Sequence, residues 1–99
     1  MKSEFDVKEL VITGHAGRQM FARRISVDEV RVVVEGGETI GDYPDDTPYP
    51  SRLLSGVVDG RAIHVVLAYD EATASGYVVT AYEPDPRLWR PNFKKRRTP

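Results

Sequence analysis

Two histidines, a set of arginines and a late hydroxyl–phenol pair are the side chains of this 99-residue chain with the means to do chemistry. His15 lies in the stretch "ITGHAGRQMFARRIS", residues 12–26, which carries three arginines and no acid. His64 lies in the apolar run "RAIHVVLAY", and Thr80 and Tyr82 lie in "YVVTAYE". Imidazole exchanges protons near neutral pH, and the guanidinium fork matches phosphate oxygens. That combination suits acid–base work on a substrate that brings its own nucleophile. RNA is such a substrate: its 2′-hydroxyl attacks the neighbouring phosphate, and the protein has only to take a proton, give one back and stabilise the charge on the phosphorane. On this reading His15 or His64 carries the proton. Arg18, Arg23 or Arg52 holds the phosphate, and Thr80 and Tyr82 orient it.

Each of these residues also has a plain structural explanation. His64 in an apolar strand fits a hydrogen-bonded, half-buried histidine. Gly14 and Gly17 beside His15 fit close packing of a helix on a sheet. Arg52 fits an ion pair with Asp45 or Asp46, and Trp89 fits a plug that pins the C-terminal segment to the core.

Other chemistries lack their residues. There is no cysteine, hence no disulfide and no thiolate metal site. Two histidines without suitably spaced acids make no zinc motif. No glycine-rich phosphate loop is present, and Ser26, Ser51, Ser55 and Ser75 stand in no nucleophile-elbow context. Neither metal nor cofactor is expected.

Charge divides the chain. From Pro86 to Pro99 there are six bases (Arg87, Arg90, Lys94, Lys95, Arg96 and Arg97) and no acid, while the other 85 residues hold eight bases against fifteen acids, a net of −7. Such a tail is either a solvated terminus or a source of non-specific attraction for an RNA backbone. The acidic remainder speaks for a protein-binding role, since nucleic-acid binders are usually basic. The N-terminus "MKSEFDVKEL" has early acids and no apolar core of a signal peptide. With no apolar run of membrane length, a cytoplasmic location is expected and no membrane association.

The elements that must position these residues follow from local signals. A length of 99 residues predicts one domain, 1–99, with the basic tail starting near residue 86. Phe5 to Ile12 alternates weakly and suits a short strand or a helical lead-in. Thr13 is a good N-cap for a helix to about Arg23, with His15, Arg18, Gln19 and Ala22 on one stripe. Ser26 and Glu29 form a capping box, and Val27, Val30 and Val34 fall on one helical face. Gly36-Gly37 suggests a left-handed stop. "ETIGDY" suits a strand and "PDDTPYP" a stiff loop. "SRLLSGVV" and "RAIHVVLAY" flank Asp59-Gly60, the preferred sequence of a type I′ hairpin turn. That turn sets Val58 opposite Arg61, Ser55 opposite His64 and Arg52 opposite Leu67. Leu54, Val58, Ile63, Val65 and Leu67 then form the core face. Strict alternation in the last strand puts Val78, Thr80 and Tyr82 on one face, giving a patch of imidazole, hydroxyl and phenol if Thr80 joins the His64 side. The architecture expected is α+β, with two N-terminal helices on a four-stranded antiparallel sheet.

Four of these stretches also carry a family resemblance: "HAGRQMFARRISVDEV", "YPDDTPYPSRLLSG", "DGRAIHVVLAYD" and "YVVTAYEPDPRLWRPNFKKRR". Together, from about Ile12 to Arg97, the chain resembles the small bacterial domain-of-unknown-function family numbered four-two-five-eight. The resemblance implies a fold similar to RelE- and barnase-like ribonuclease toxins and, by extension, a metal-independent endoribonuclease toxin with RNA as substrate. It implies a small zinc-finger antitoxin as partner. The helix positions of the pattern fall on His15 and Arg23, the loop arginine on Arg52, the strand histidine on His64, and the closing pair on Thr80 and Tyr82. The competing expectation is a non-catalytic protein-binding module whose histidines are structural.

Overall fold

The computed structural model describes residues 5–97. The N-terminal reading where it rests on residues 1–4, and the last two residues of the tail, lie outside the described residues. The elements run β1 (Glu9–Ile12), α1 (Gly14–Arg23), α2 (Val27–Gly36), β2 (Glu38–Tyr43), β3 (Ser51–Val58), β4 (Arg61–Asp70) and β5 (Ser75–Tyr82).

The helix starts follow from their caps. Thr13 accepts the Ala16 amide at 3.1 Å and donates its hydroxyl to the Val78 carbonyl at 3.2 Å, so one side chain both starts α1 and ties it to β5. Ser26 and Glu29 close the expected capping box on α2. The stops differ from expectation. The left-handed residue is Arg24 after α1, at φ 58°, whereas Gly37 after α2 is extended at φ −76°. The inner face of α2 is Val30 and Val33, with Val34 packed against the core beside them and Val27 exposed at the first position of the helix.

The sheet order is β1-β5-β4-β3-β2. Five strands rather than four are present, and the sheet is mixed: β1 lies parallel to β5, with Glu9 opposite Ser75 and Ile12 opposite Val78. The weak alternation before Thr13 is therefore a strand, stabilised by an edge 66 residues away rather than by its own pattern. The hairpin register holds as expected, with Ser55 opposite His64, Arg52 opposite Leu67 and Val58 opposite Arg61. Asp59 and Gly60 both take positive φ, as a type I′ turn demands.

Both helices cover one face of the sheet. Leu54, Ile63, Val65, Leu67, Val78 and Ala81 meet Ala16, Met20, Ile25, Val30 and Val33 there. Ile63 and Val65 are fully buried, and each such side chain contributes about 1.5–3 kcal/mol. The opposite face carries His64, which alternates with Ile63 and Val65 along β4. It is covered by the C-terminal segment, not by solvent. Strict alternation fails in β5: the register shifts between Val66↔Thr80 and Leu67↔Val78, a bulge at Val79. As a result both Val78 and Ala81 reach the helical core.

Candidate functional site

The residues with the most open and ordered polar geometry lie along the seam between α1 and β5. Ala16 and Met20 are buried and fix the inner face of α1. The 3.6-residue period then sets His15, Gln19 and Arg23 in a row along the flank of the helix, one turn apart. Arg23 Nη1 donates to the Ala81 carbonyl at 2.8 Å and to Thr80 Oγ1 at 3.2 Å. The Thr80 hydroxyl donates in turn to Gln19 Oε1 at 2.6 Å. Thr80 is thus both acceptor and donor, and it clamps two successive turns of α1 to the strand. His15 is exposed one turn before Gln19, and Arg18 is exposed on the same helix. The structure brings Arg23 and Thr80 into direct contact and sets His15 and Arg18 on the same exposed helix. Gln19 completes the row; its place on the stripe was readable from spacing, but an amide gave no chemical reason to select it.

The bulge corrects the face expected for Val78, which turns to the helical core. Thr80 and Tyr82 stand opposite Val66 and His64, and the Thr80 hydroxyl also engages Gln19 of α1. His64 is fully buried. Its Nε2 lies 2.7 Å from the Phe93 carbonyl and its Nδ1 3.3 Å from the Tyr82 hydroxyl. A carbonyl only accepts, so Nε2 carries the hydrogen and Nδ1 of the neutral ring accepts from Tyr82. The Trp89 ring packs edge-on against the imidazole, centroids 4.6 Å apart, and is itself buried. Burial lowers the His64 pKa from its ordinary value, with the Phe93 carbonyl opposing in part. Burial also raises that of Tyr82. His15 and His64 therefore belong to different layers and share no opening.

Arg52 is also placed away from the seam. It sits on the helical face of β3, mostly buried, with Nε 3.5 Å from Asp42 Oδ1 and its guanidinium 4.1 Å from the centre of the Phe5 ring. The expected partners Asp45 and Asp46 give way to Asp42, the residue opposite Arg52 in the β2–β3 ladder, while Asp46 receives the Ser51 hydroxyl. Arg52 lines a cavity of about 250 Å³ beneath the end of α2, together with Phe5, Glu35, Thr39 and Leu67.

The basic tail is folded rather than frayed. Trp89 pairs with Arg96 in an isolated bridge. Arg87 makes a two-pronged contact with Asp85, Lys94 pairs with Glu38 at 2.8 Å, Arg96 lies over the Trp89 ring, and Arg97 donates to the Pro86 carbonyl. Arg90 and Lys95 remain exposed. Arg87, Lys94, Arg96 and Arg97 are exposed as well, and of the six bases Arg87 and Lys94 pair with acids.

Among the described residues no three His, Asp or Glu side chains group closely enough to hold a metal ion, and no helix is long and apolar enough to cross a membrane. The model of one protein family, described as a domain of unknown function (DUF4258), matches residues 12–83, well over half of the chain. Neither the curated proteins nor the solved structures contain a match.

Proposed function

The chain belongs to the DUF4258 family, and from the α1–β5 seam we propose that it is a metal-independent endoribonuclease of the toxin kind. The observation that supports this most is the anchored guanidinium of Arg23. Its Nη1 hydrogens are used by Ala81 and Thr80, which leaves Nη2 and Nε to receive phosphate oxygens. His15, exposed on the same row, takes the proton of the RNA 2′-hydroxyl. The 2′-oxygen then attacks phosphorus, the bond to the 5′-oxygen breaks, and the departing oxygen takes a proton from water. The products are a cyclic phosphate and a free 5′-hydroxyl. Arg23 offsets the charge that builds on the phosphorane. His64 takes no part, because its two nitrogens serve Phe93 and Tyr82. Kinship with RelE- and barnase-like toxins, and a small zinc-finger antitoxin as partner, belong to the same proposal.

The test is single-stranded RNA incubated with purified protein in the presence and absence of chelator. Cleavage to cyclic phosphate ends is expected in both, lost in His15→Ala and retained in His64→Ala. Full cleavage by His15→Ala, or none by the wild type, would overturn the proposal. A second reading, a non-catalytic protein-binding module, draws on the burial of His64, which makes one of two histidines structural. It predicts no cleavage and no slowed growth on expression.

A further inference from the structure

Phe21 is 88% exposed, the most exposed large apolar side chain of the described residues. It lies on α1, which bears no acid at all. Arg18 stands three residues before it, on the adjoining helical ridge, and Arg24 three residues after it, at the left-handed cap. Side chains on a helix lean toward its N-terminus, so the ring leans toward Gly17 and Gly14, which add no side chain beside it. The surroundings of the other exposed helical apolar groups are different: Val27 and Val32 lie on α2 together with Asp28, Glu29 and Glu35.

A bare aromatic ring on a helix that carries arginines and no acid matches one kind of ligand well. Bases stack on aromatic rings while cations take the flanking phosphates, and every base has a face to offer. Paired bases are already stacked and out of reach, so the base must be unpaired. An apolar protein partner fits less well, because charged residues are depleted at the centres of such interfaces. We infer that α1 binds single-stranded RNA with one base stacked on Phe21 and the adjoining phosphates on Arg18 and Arg24. This rests on the RNA reading of the seam and adds to it how the strand lies: over the outer face of α1, around the helix from the Arg23–Thr80 contact.

The experiment uses the full chain and two labelled oligomers of equal length and charge, both 2′-O-methylated so that no 2′-hydroxyl can attack. One carries bases and the other is abasic. Fluorescence anisotropy is expected to show the wild type binding the base-bearing oligomer roughly fivefold or more tighter. Phe21→Ala is expected to bind both oligomers alike, with an unchanged melting temperature because the ring is already in solvent. A wild type that binds the two equally, or a Phe21→Ala variant that keeps the preference, overturns the stacking assignment. If cleavage of natural RNA by the wild type persists in that case, the reading of the seam stands and only this inference falls. Binding of neither oligomer, together with higher solubility of Phe21→Ala, would assign the ring to a protein interface and overturn the inference.

Discussion

The His64 imidazole holds the Phe93 carbonyl at 2.7 Å, so a ring in the middle of β4 fastens a segment 29 residues further along the chain. The same ring packs edge-on against Trp89 and Tyr82. One side chain therefore ties Tyr82, Trp89 and Phe93 together on the side of β4 away from Ile63 and Val65. Both its ring nitrogens are engaged within the molecule, and the variants that test it are separate from those that test the seam.

His64→Ala removes the ring and leaves the Phe93 carbonyl without its donor. The cavity and the lost hydrogen bond together cost about 2–4 kcal/mol, read from urea denaturation. Trp89 is the only tryptophan, so release of the tail should also shift its emission to the red in the folded protein.

The pH dependence follows from the direction of the His64 shift. Burial lowers the folded-state pKa below the ordinary 6.5, so the unfolded chain binds the proton more readily. The advantage of the neutral ring is complete above about 6.5 and is lost as pH falls from there through the lowered folded-state value. Protonation would also set a second cation close to Arg96, which lies over Trp89. Denaturation curves between about pH 7.5 and 5, roughly the range in which imidazole titrates, should show stability falling with pH. His64→Gln, which cannot titrate, should show a shallower fall; equal slopes would remove His64 as the cause.

Thr80→Val removes the hydroxyl that Gln19 and Arg23 share while keeping the shape of the side chain. Arg23 keeps only the Ala81 carbonyl and loses its fixed orientation. Cleavage of RNA is expected to fall about tenfold, in line with the loss of one aimed charge-assisted contact. Stability should change by no more than about 1 kcal/mol, since the network lies near the surface. A large loss of stability with unchanged cleavage would make the network structural.

Two glycines should respond in opposite directions. A Cβ at Gly17 would meet only Ile12 Cγ2, at 3.6 Å, an ordinary contact. Gly17→Ala is therefore expected to stabilise α1 by about 0.5–1 kcal/mol, contrary to the expectation that tight packing demands glycine there. A Cβ at Gly37 would lie 2.5 Å from the Val33 carbonyl and 2.9 Å from the Ser55 carbonyl. Gly37→Ala is expected to cost about 1–3 kcal/mol, because backbone on both sides must give way. Melting temperatures of the two variants check both signs.

What could be read from the sequence was whatever neighbours along the chain decide. Thr13 and Ser26 declare helix starts because their hydroxyls satisfy amides three residues on. Asp59-Gly60 sets the β3–β4 register because a two-residue turn allows no other pairing, and that register alone assigns Leu54, Ile63, Val65 and Leu67 to the core. The stripe of His15, Arg18, Gln19 and Ala22 is likewise fixed by helical period.

The tertiary structure decided the rest, because it depends on contacts between distant residues. The parallel pairing of β1 needs an open edge on β5, which four residues of weak alternation do not announce. A bulge at Val79 turns Val78 to the core while Thr80 and Tyr82 stay opposite Val66 and His64, and the Thr80 hydroxyl meets Gln19 and Arg23, 61 and 57 residues earlier. Folding of the tail over His64 converts a candidate proton carrier into a buried clasp. Composition fixed that two imidazoles exist; only packing settled that solvent reaches one of them, since burial is set by what covers a side chain and not by the residues on either side of it.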